Sequence, residues 1–351
     1  MPASVPRPIA HVARHTRLPV WPVASGLSCW AAETIGLRGL SRGIEARFGG
    51  RVTPMSLPLA ASDPFLMLVH HRHTFSRFDP LRPLSALVLP EGFPAHPHRG
   101  FETVTFVLEG GMRHRDSEGV KMIYRGGSVQ WLTAGRGVLH EEMWATETPR
   151  QELYQLWVNL PRAHKWDEPE VQMLGQAEVS GGTVSQAPLS KGDVGGVTVT
   201  VLAGSCGGIV SAVRTRSPMG VVRVEWAQPS VFLWDDVPAD HTALAFVRQG
   251  AISVGEQRAD AGALVTFARG EGSEGWSPGL QLTALEPDTD VLLMTGAPLR
   301  EPVAMGGSMV MNTEAEIQDA YRDHRQGVFG PGWSPRASDA EWLAAIQHRD
   351  R

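Results

Sequence analysis

His96-Pro97-His98-Arg99-Gly100-Phe101-Glu102-Thr103-Val104-Thr105 opens, and Gln130-Trp131-Leu132-Thr133-Ala134-Gly135-Arg136-Gly137-Val138-Leu139-His140-Glu141-Glu142 closes, the stretch on which the reading of this chain turns. Two histidines stand two apart at its front, and a histidine and a carboxylate stand two apart at its end. Strand residues i and i+2 point to the same side. If both ends are strands, His96 and His98 share one face and His140 and Glu142 another. Apposing those faces gathers three imidazoles and one carboxylate, a set that suits a divalent first-row metal without any cysteine. Nitrogen and oxygen donors alone do not choose among iron, manganese, nickel, copper, cobalt and zinc.

The sequence between the two motifs has the grain of an antiparallel barrel. Short strand-like stretches at 104–108, 112–115 and 128–132 are separated by Glu109-Gly110-Gly111, Asp116-Ser117-Glu118-Gly119 and Arg125-Gly126-Gly127, which read as turns. Pro97, lacking an N–H, fits an edge strand or a bulge. Gly135 and Gly137 permit a tight bend and a close approach of backbone to the pocket. Glu102 is a competing carboxylate: its even offset from His98 keeps it facing inward if the strand stays regular. Glu141 should face away from His140 and Glu142.

These two motifs resemble the signature of the pirin family, a branch of the cupins, and the resemblance runs from about Ser41 nearly to Gly330. It implies an all-β bicupin: two antiparallel, jelly-roll-like β-barrels, the first holding one metal, usually iron, and a short C-terminal helix. The family's four ligand positions fall on His96, His98, His140 and Glu142. Many other cupins place a glutamate ligand where Glu102 stands; the pirin-like pattern favours Glu142 and leaves Glu102 on the inner wall. The family often has an aspartate where this chain has Val69.

A length of 351 residues leads us to expect two domains. The 38 glycines and 26 prolines fit short strands joined by many turns. A formal charge of −5 advertises no nucleic-acid surface. Two cysteines, Cys29 and Cys206, do not make a secreted disulfide framework. No run of 18 apolar residues points to a membrane span, and the arginine-containing N-terminus lacks the apolar core of a secretory signal. We therefore expect a cytoplasmic protein without a membrane or nucleic-acid partner.

The expected order is a poorly structured or peripheral extension over 1–40, a metal-binding cupin domain over 41–165, a cupin-like domain over 166–310 and a helix with tail over 311–351. In the third block, apolar runs at 197–202, 221–226, 242–247, 251–254, 263–267, 280–285 and 291–294 repeat the short-strand pattern. His241 is the one histidine between His164 and His324, so a second three-histidine site cannot be assembled there. Thr313 and Glu316 form a capping-box start, with a second short helix expected within 339–348. His70, His71 and His73 have no partner motif, and we expect structural or surface roles for them.

Three neutral histidines and one carboxylate leave a divalent centre at a formal charge of about +1, with positions open for water, substrate oxygen or dioxygen. Phe93, Phe101, Phe106 and Trp131 are candidates for an aromatic wall, which suits an aromatic, oxygen-bearing substrate. The resemblance implies a metal-dependent quercetin 2,3-dioxygenase-like enzyme, Fe²⁺ its expected metal, that opens flavonols with dioxygen and releases carbon monoxide. Glu142 would serve as ligand and base. The alternative it implies is an iron-binding, redox-sensitive regulator that works through a protein partner. An oxidoreductase acting on another phenolic or an enediol is the third expectation.

Overall fold

The structure, a computed structural model, describes residues 7–347 apart from 20, 22, 46 and 271–278. The first residues of the extension, Pro22 and the tail from His348 onward lie outside the described residues. The chain divides into two compact units, one made of 1–15, 56–66 and 187–300, the other of 16–55, 67–186 and 301–351. The successive blocks expected from the sequence are thus interleaved. The 1–40 segment is not a loose arm: its strand Ile9–Arg14 pairs antiparallel with Ala263–Phe267, and its helix Val23–Thr34 packs against helix Arg38–Glu45. An edge strand is held by backbone bonds while most of its side chains face water, so its side-chain pattern carries little period to read.

The unit containing 187–300 has a seven-stranded antiparallel sheet and a four-stranded one. Their alternating residues build one apolar core that includes Val199, Val222, Trp226, Phe232, Ala245, Ile252, Val265, Leu282 and Leu293. Among its described residues no group of histidines and carboxylates is spaced to hold a metal.

The other unit carries the two motifs. Its five-stranded sheet runs in the order Ala177–Ser180, Lys121–Arg125, Gly111–Asp116, Val138–Trp144, Gly92–His98. Its eight-stranded sheet contains Ser128–Thr133, Phe101–Glu109, Arg150–Asn159 and Phe65–Thr74 side by side. The expected all-β architecture is therefore present, with Gly-centred turns where the sequence placed them. Strand Gly92–His98 stands at a sheet edge, where the missing N–H of Pro97 does no harm. Tyr124, Leu132, Trp144, Leu153 and Met173 belong to the core between the sheets. Each large apolar side chain so buried contributes roughly 1.5–3 kcal/mol.

Helix Glu314–Arg325 starts with the capping box read from Thr313 and Glu316, and buries Ile317 and Ala320. The hairpin Ala304–Gly306/Met309–Met311 precedes it. Gly100 lies against this hairpin at φ +81°, and a Cβ there would stand 1.9 Å from the carbonyl oxygen of Val310. Lys165, buried, clamps the same place: its Nζ donates to the carbonyls of Gly100 (2.8 Å) and Val310 (3.0 Å) and to Asn159 Oδ1 (2.8 Å). Burial pushes its pKa down to about 8.

Candidate metal centre

In strand Gly92–His98 the two histidines alternate with Pro97 and share a face; in strand Val138–Trp144, His140 stands directly opposite His96. The three rings come together, with centroids 4.7 Å apart for His96–His98, 4.5 Å for His96–His140 and 4.7 Å for His98–His140. One ring nitrogen from each lies within 4.8 Å of the others, so these three residues form a group that could hold a metal ion.

The tautomers suit that use. His96 Nδ1 donates to the carbonyl of Pro94 at 2.8 Å and His98 Nδ1 to that of Ser308 at 3.4 Å, which leaves each Nε2 lone pair free to face the centre. His140 Nε2 stands 3.1 Å from His96 Nε2. Either a proton on His140 Nε2 or a cation between the two rings removes the repulsion of two lone pairs at that distance. Metal–nitrogen bonds of about 2.1 Å set at right angles would separate their nitrogens by about 3.0 Å. Burial lowers the pKa of all three, well below the ordinary value for His98 and His140, and the neutral imidazole is the ligating form.

Glu142 is buried beside these rings but is not one of the three closely spaced donors. Its Oε1 accepts from Thr105 Oγ1 and Tyr124 OH, both at 3.0 Å, and its Oε2 from Gln155 Nε2 at 2.7 Å. Both carboxylate oxygens are thus held by neutral donors. Tyr124, whose pKa is raised well above its usual value by burial and by Glu142, stays a protonated donor. Glu141 points the other way, as expected, onto Arg115 (2.5 Å) and Trp333 (2.9 Å).

Glu102 departs from expectation. Thr105 reaches Glu142, the Phe101 ring lies 5.0 Å from His98, and the register along Phe101–Glu109 is regular through this stretch. Residues 101, 103 and 105 therefore face the centre and Glu102 faces away, accepting from Thr133 Oγ1 at 2.7 Å. The left-handed step at Gly100 separates the two strands and resets the alternation between His98 and Phe101. Phe106 and Trp131 fall on the same outer face as Glu102, so of the four candidate wall aromatics Phe101 borders His98 and Phe93 borders His96 (6.4 Å). Arg99 turns away from the centre. It pairs with Asp323 at 2.8 Å and lies over the Phe329 ring.

Several groups around the centre went unread in the sequence. Trp157 stands 5.7 Å from His98 and 4.6 Å from Phe101, completing an aromatic corner. His114 and Asp116 lie opposite Glu142 and His140 in the ladder, fully buried, with His114 Nε2 on Asp116 Oδ2 at 3.0 Å. Their i, i+2 spacing on a strand returning beside the second motif was the available signal.

The other histidine pair is structural in its contacts. His71 Nδ1 lies 3.2 Å from His73 Nε2, and His73 Nδ1 donates to the carbonyl of Trp21 at 3.0 Å, amid Trp21, Phe93 and Trp144. His70 instead meets Glu152 at 2.8 Å. Burial drives His71 well below its ordinary pKa and His73 down to about 4. The unfolded chain then binds protons that the fold refuses, so stability should be full above about pH 6.5 and fall as pH drops toward 4. Urea unfolding at neutral and mildly acidic pH tests this: His73→Gln should flatten the decline, and an unchanged slope would count against it.

Comparison with known proteins fits this geometry. The family model described as Pirin matches residues 51–158, and the Pirin C-terminal cupin domain matches residues 227–330. The chain is 39% identical over 247 residues to the pirin of Rattus norvegicus, covering 69% of this chain and 78% of that one. The chain belongs to the pirin family. A pirin-like protein of Caulobacter vibrioides is 35% identical over 246 residues, 68% of this chain and 80% of that one. Among solved structures, one titled quercetin 2,3-dioxygenase from Acinetobacter baumannii superposes with a TM-score of 0.68 at 28% identity, covering 93% of this chain and 99% of that one. The all-β bicupin architecture of the pirins is thus the architecture of this chain. No helix among the described residues is long and apolar enough to cross a membrane.

Proposed function

We propose that this pirin is a metal-dependent flavonol dioxygenase of the quercetin 2,3-dioxygenase type, with His96, His98, His140 and Glu142 holding one divalent metal, Fe²⁺ in the cell. The observation that carries the reading is the convergence of three imidazoles, two of them oriented by backbone carbonyls, beside a carboxylate and an aromatic corner. The likeness to the Acinetobacter structure supports the substrate class. When bound, the metal supplies Lewis acidity and a site at which an oxygen ligand and dioxygen can meet.

The remaining work belongs to the chain's own side chains. Trp157, half-buried near His98 and backed by the buried Phe101, offers a face against which a flat aromatic substrate can stack. Glu142 takes the proton of the substrate hydroxyl, making the heterocycle electron-rich, and returns it to the carboxyl group of the product. In the overall reaction two carbon–carbon bonds break, both atoms of dioxygen enter the opened product, and the carbon between them leaves as carbon monoxide. Tyr124, Thr105 and Gln155 keep Glu142 oriented while it holds the proton. Burial excludes bulk water from competing for that proton.

The test is anaerobic reconstitution with Fe²⁺, followed by oxygen uptake and carbon monoxide release with quercetin and a flavonol panel. Parallel loading with nickel, manganese, cobalt, copper and zinc addresses the metal. Glu142→Gln, whose amide oxygen is a weaker ligand and no base, should bind metal less tightly and, at saturating metal, lose turnover by about 10²–10⁴-fold, the range for a removed general base. One tightly bound metal per chain with no turnover on any flavonol would overturn the enzyme reading. It would favour a redox-sensitive regulator acting through a protein partner.

A further inference from the structure

In the metal-bearing unit helix Arg82–Val88 is inside out, and helix Val23–Thr34 beside it leaves apolar side chains outside. Helix Arg82–Val88 turns its polar Ser85 inward, where Oγ donates to the carbonyl of Leu81, while Leu84 and Leu87 stand 59% and 73% exposed. Helix Val23–Thr34, packed beside it, buries Cys29 and Ala32 and sets Leu27 and Trp30, both over half exposed, on its solvent side. Leu27, Trp30, Ala31 and Thr34 fall at helical spacing, so this is a continuous outward stripe with little polarity. Soluble surfaces carry scattered apolar residues, but neighbouring apolar stripes on adjacent helices mark a contact surface.

The charges nearby are one-sided. Arg38, Arg47 and Arg77 are exposed and have no carboxylate partner among the described residues; Arg77 lies over the ring of Phe78, itself 72% exposed. The carboxylates on the same segments are occupied: Glu33 and Glu45 with Arg51, and Glu91 with Arg82. A second copy of this face would bring arginine against arginine. The apolar side chains protrude as knobs and do not line a groove, which suits a soft, deformable partner better than a rigid one. Leucine and tryptophan knobs rimmed by arginine are the signature of an element that lies in a lipid interface.

We propose that the outward faces of the 23–34 and 82–88 helices dock this protein onto an anionic lipid surface. The lipid is a surface that side chains enter; no helix among the described residues is long and apolar enough to cross it. This reading does not depend on the activity of the metal centre.

The test is co-sedimentation of the full chain with phosphatidylcholine vesicles, with and without phosphatidylglycerol. The wild type should pellet with the anionic vesicles and stay in solution with the neutral ones, and added salt should release it. The double variant Leu84→Glu/Leu87→Glu should lower the vesicle-bound fraction about tenfold or more. Arg38→Glu/Arg77→Glu should do so separately. All four side chains are exposed, and unchanged thermal midpoints will show that both variants fold. Failure of the wild type to pellet, equal binding to neutral vesicles, or binding unaffected by the arginine variant would each overturn the proposal. So would a wild-type dimer that the leucine variant dissociates while no vesicle binding occurs, which would make the face a contact between copies.

Discussion

Replacing His140 with alanine is expected to take the protein from one metal equivalent per chain to almost none after reconstitution and gel filtration. Its ring makes the third corner of a triangle with His96 and His98, with centroids 4.5 and 4.7 Å away, so its loss leaves two imidazoles and a carboxylate whose oxygens accept from Thr105, Tyr124 and Gln155. Removing an outer partner of a metal ligand typically costs ten- to a hundredfold in affinity; removing the ligand itself should cost more than about a hundredfold. His98→Ala should do the same. Both variants should leave the unit containing 187–300 folded, since its core draws on none of these residues. Elemental analysis and circular dichroism provide the readouts. Metal content unchanged in both variants would remove these residues from the site. His73→Gln should retain its metal, and an equal loss there would show that the second histidine pair belongs to the centre.

The second large effect is expected at a glycine. Gly100→Ala should lower stability by about 3–5 kcal/mol, whereas Gly127→Ala should cost only about 1 kcal/mol. The two positions have nearly the same backbone, φ +81° and +83°, so they share the left-handed penalty. They differ in surroundings: a Cβ at Gly127 meets nothing within 4 Å, while one at Gly100 collides with the Val310 carbonyl and lies 2.8 Å from Met311 Sδ. The neighbour cannot easily yield, because Lys165 ties Gly100 and Val310 together and Val310 N donates to the Arg99 carbonyl. Displacing this hairpin also disturbs Ser308, whose carbonyl orients His98. Metal affinity should therefore fall by about tenfold with it. Chemical denaturation of the two variants side by side measures the difference, and equal costs would show that the packing against Val310 is not what requires glycine.

Much of the centre was legible because two-residue spacing on strands is a strong constraint. His96 and His98 could hardly meet His140 except across an antiparallel pair, and the turns between the motifs supplied that pairing. Where the reading failed, the cause was backbone. Glu102 was assigned inward by counting from His98, but the count is interrupted by the φ of Gly100, which the identity of a glycine permits without announcing. Ile9–Arg14 was missed because its sheet pairing is made by main chain on an edge. Tyr124, Gln155 and Trp157 were beyond reach for another reason. Each lies on a strand whose register against the motif strands no local pattern fixes. The helices at 23–34 and 82–88 show the limit of composition as a guide to burial, since Leu27, Trp30, Leu84 and Leu87 face water.

The hydrogen bond from His98 to the carbonyl of Ser308 spans 210 positions. A ribosome makes the three histidines long before it makes the residue that orients one of them. Throughout synthesis of the intervening chain the nascent ligand strand has its imidazoles but lacks the hairpin that fixes the ring of His98. Any metal held by the three histidines is therefore expected to be held fully only once the chain is complete. A protein truncated before residue 308 should behave as a permanent version of the nascent chain.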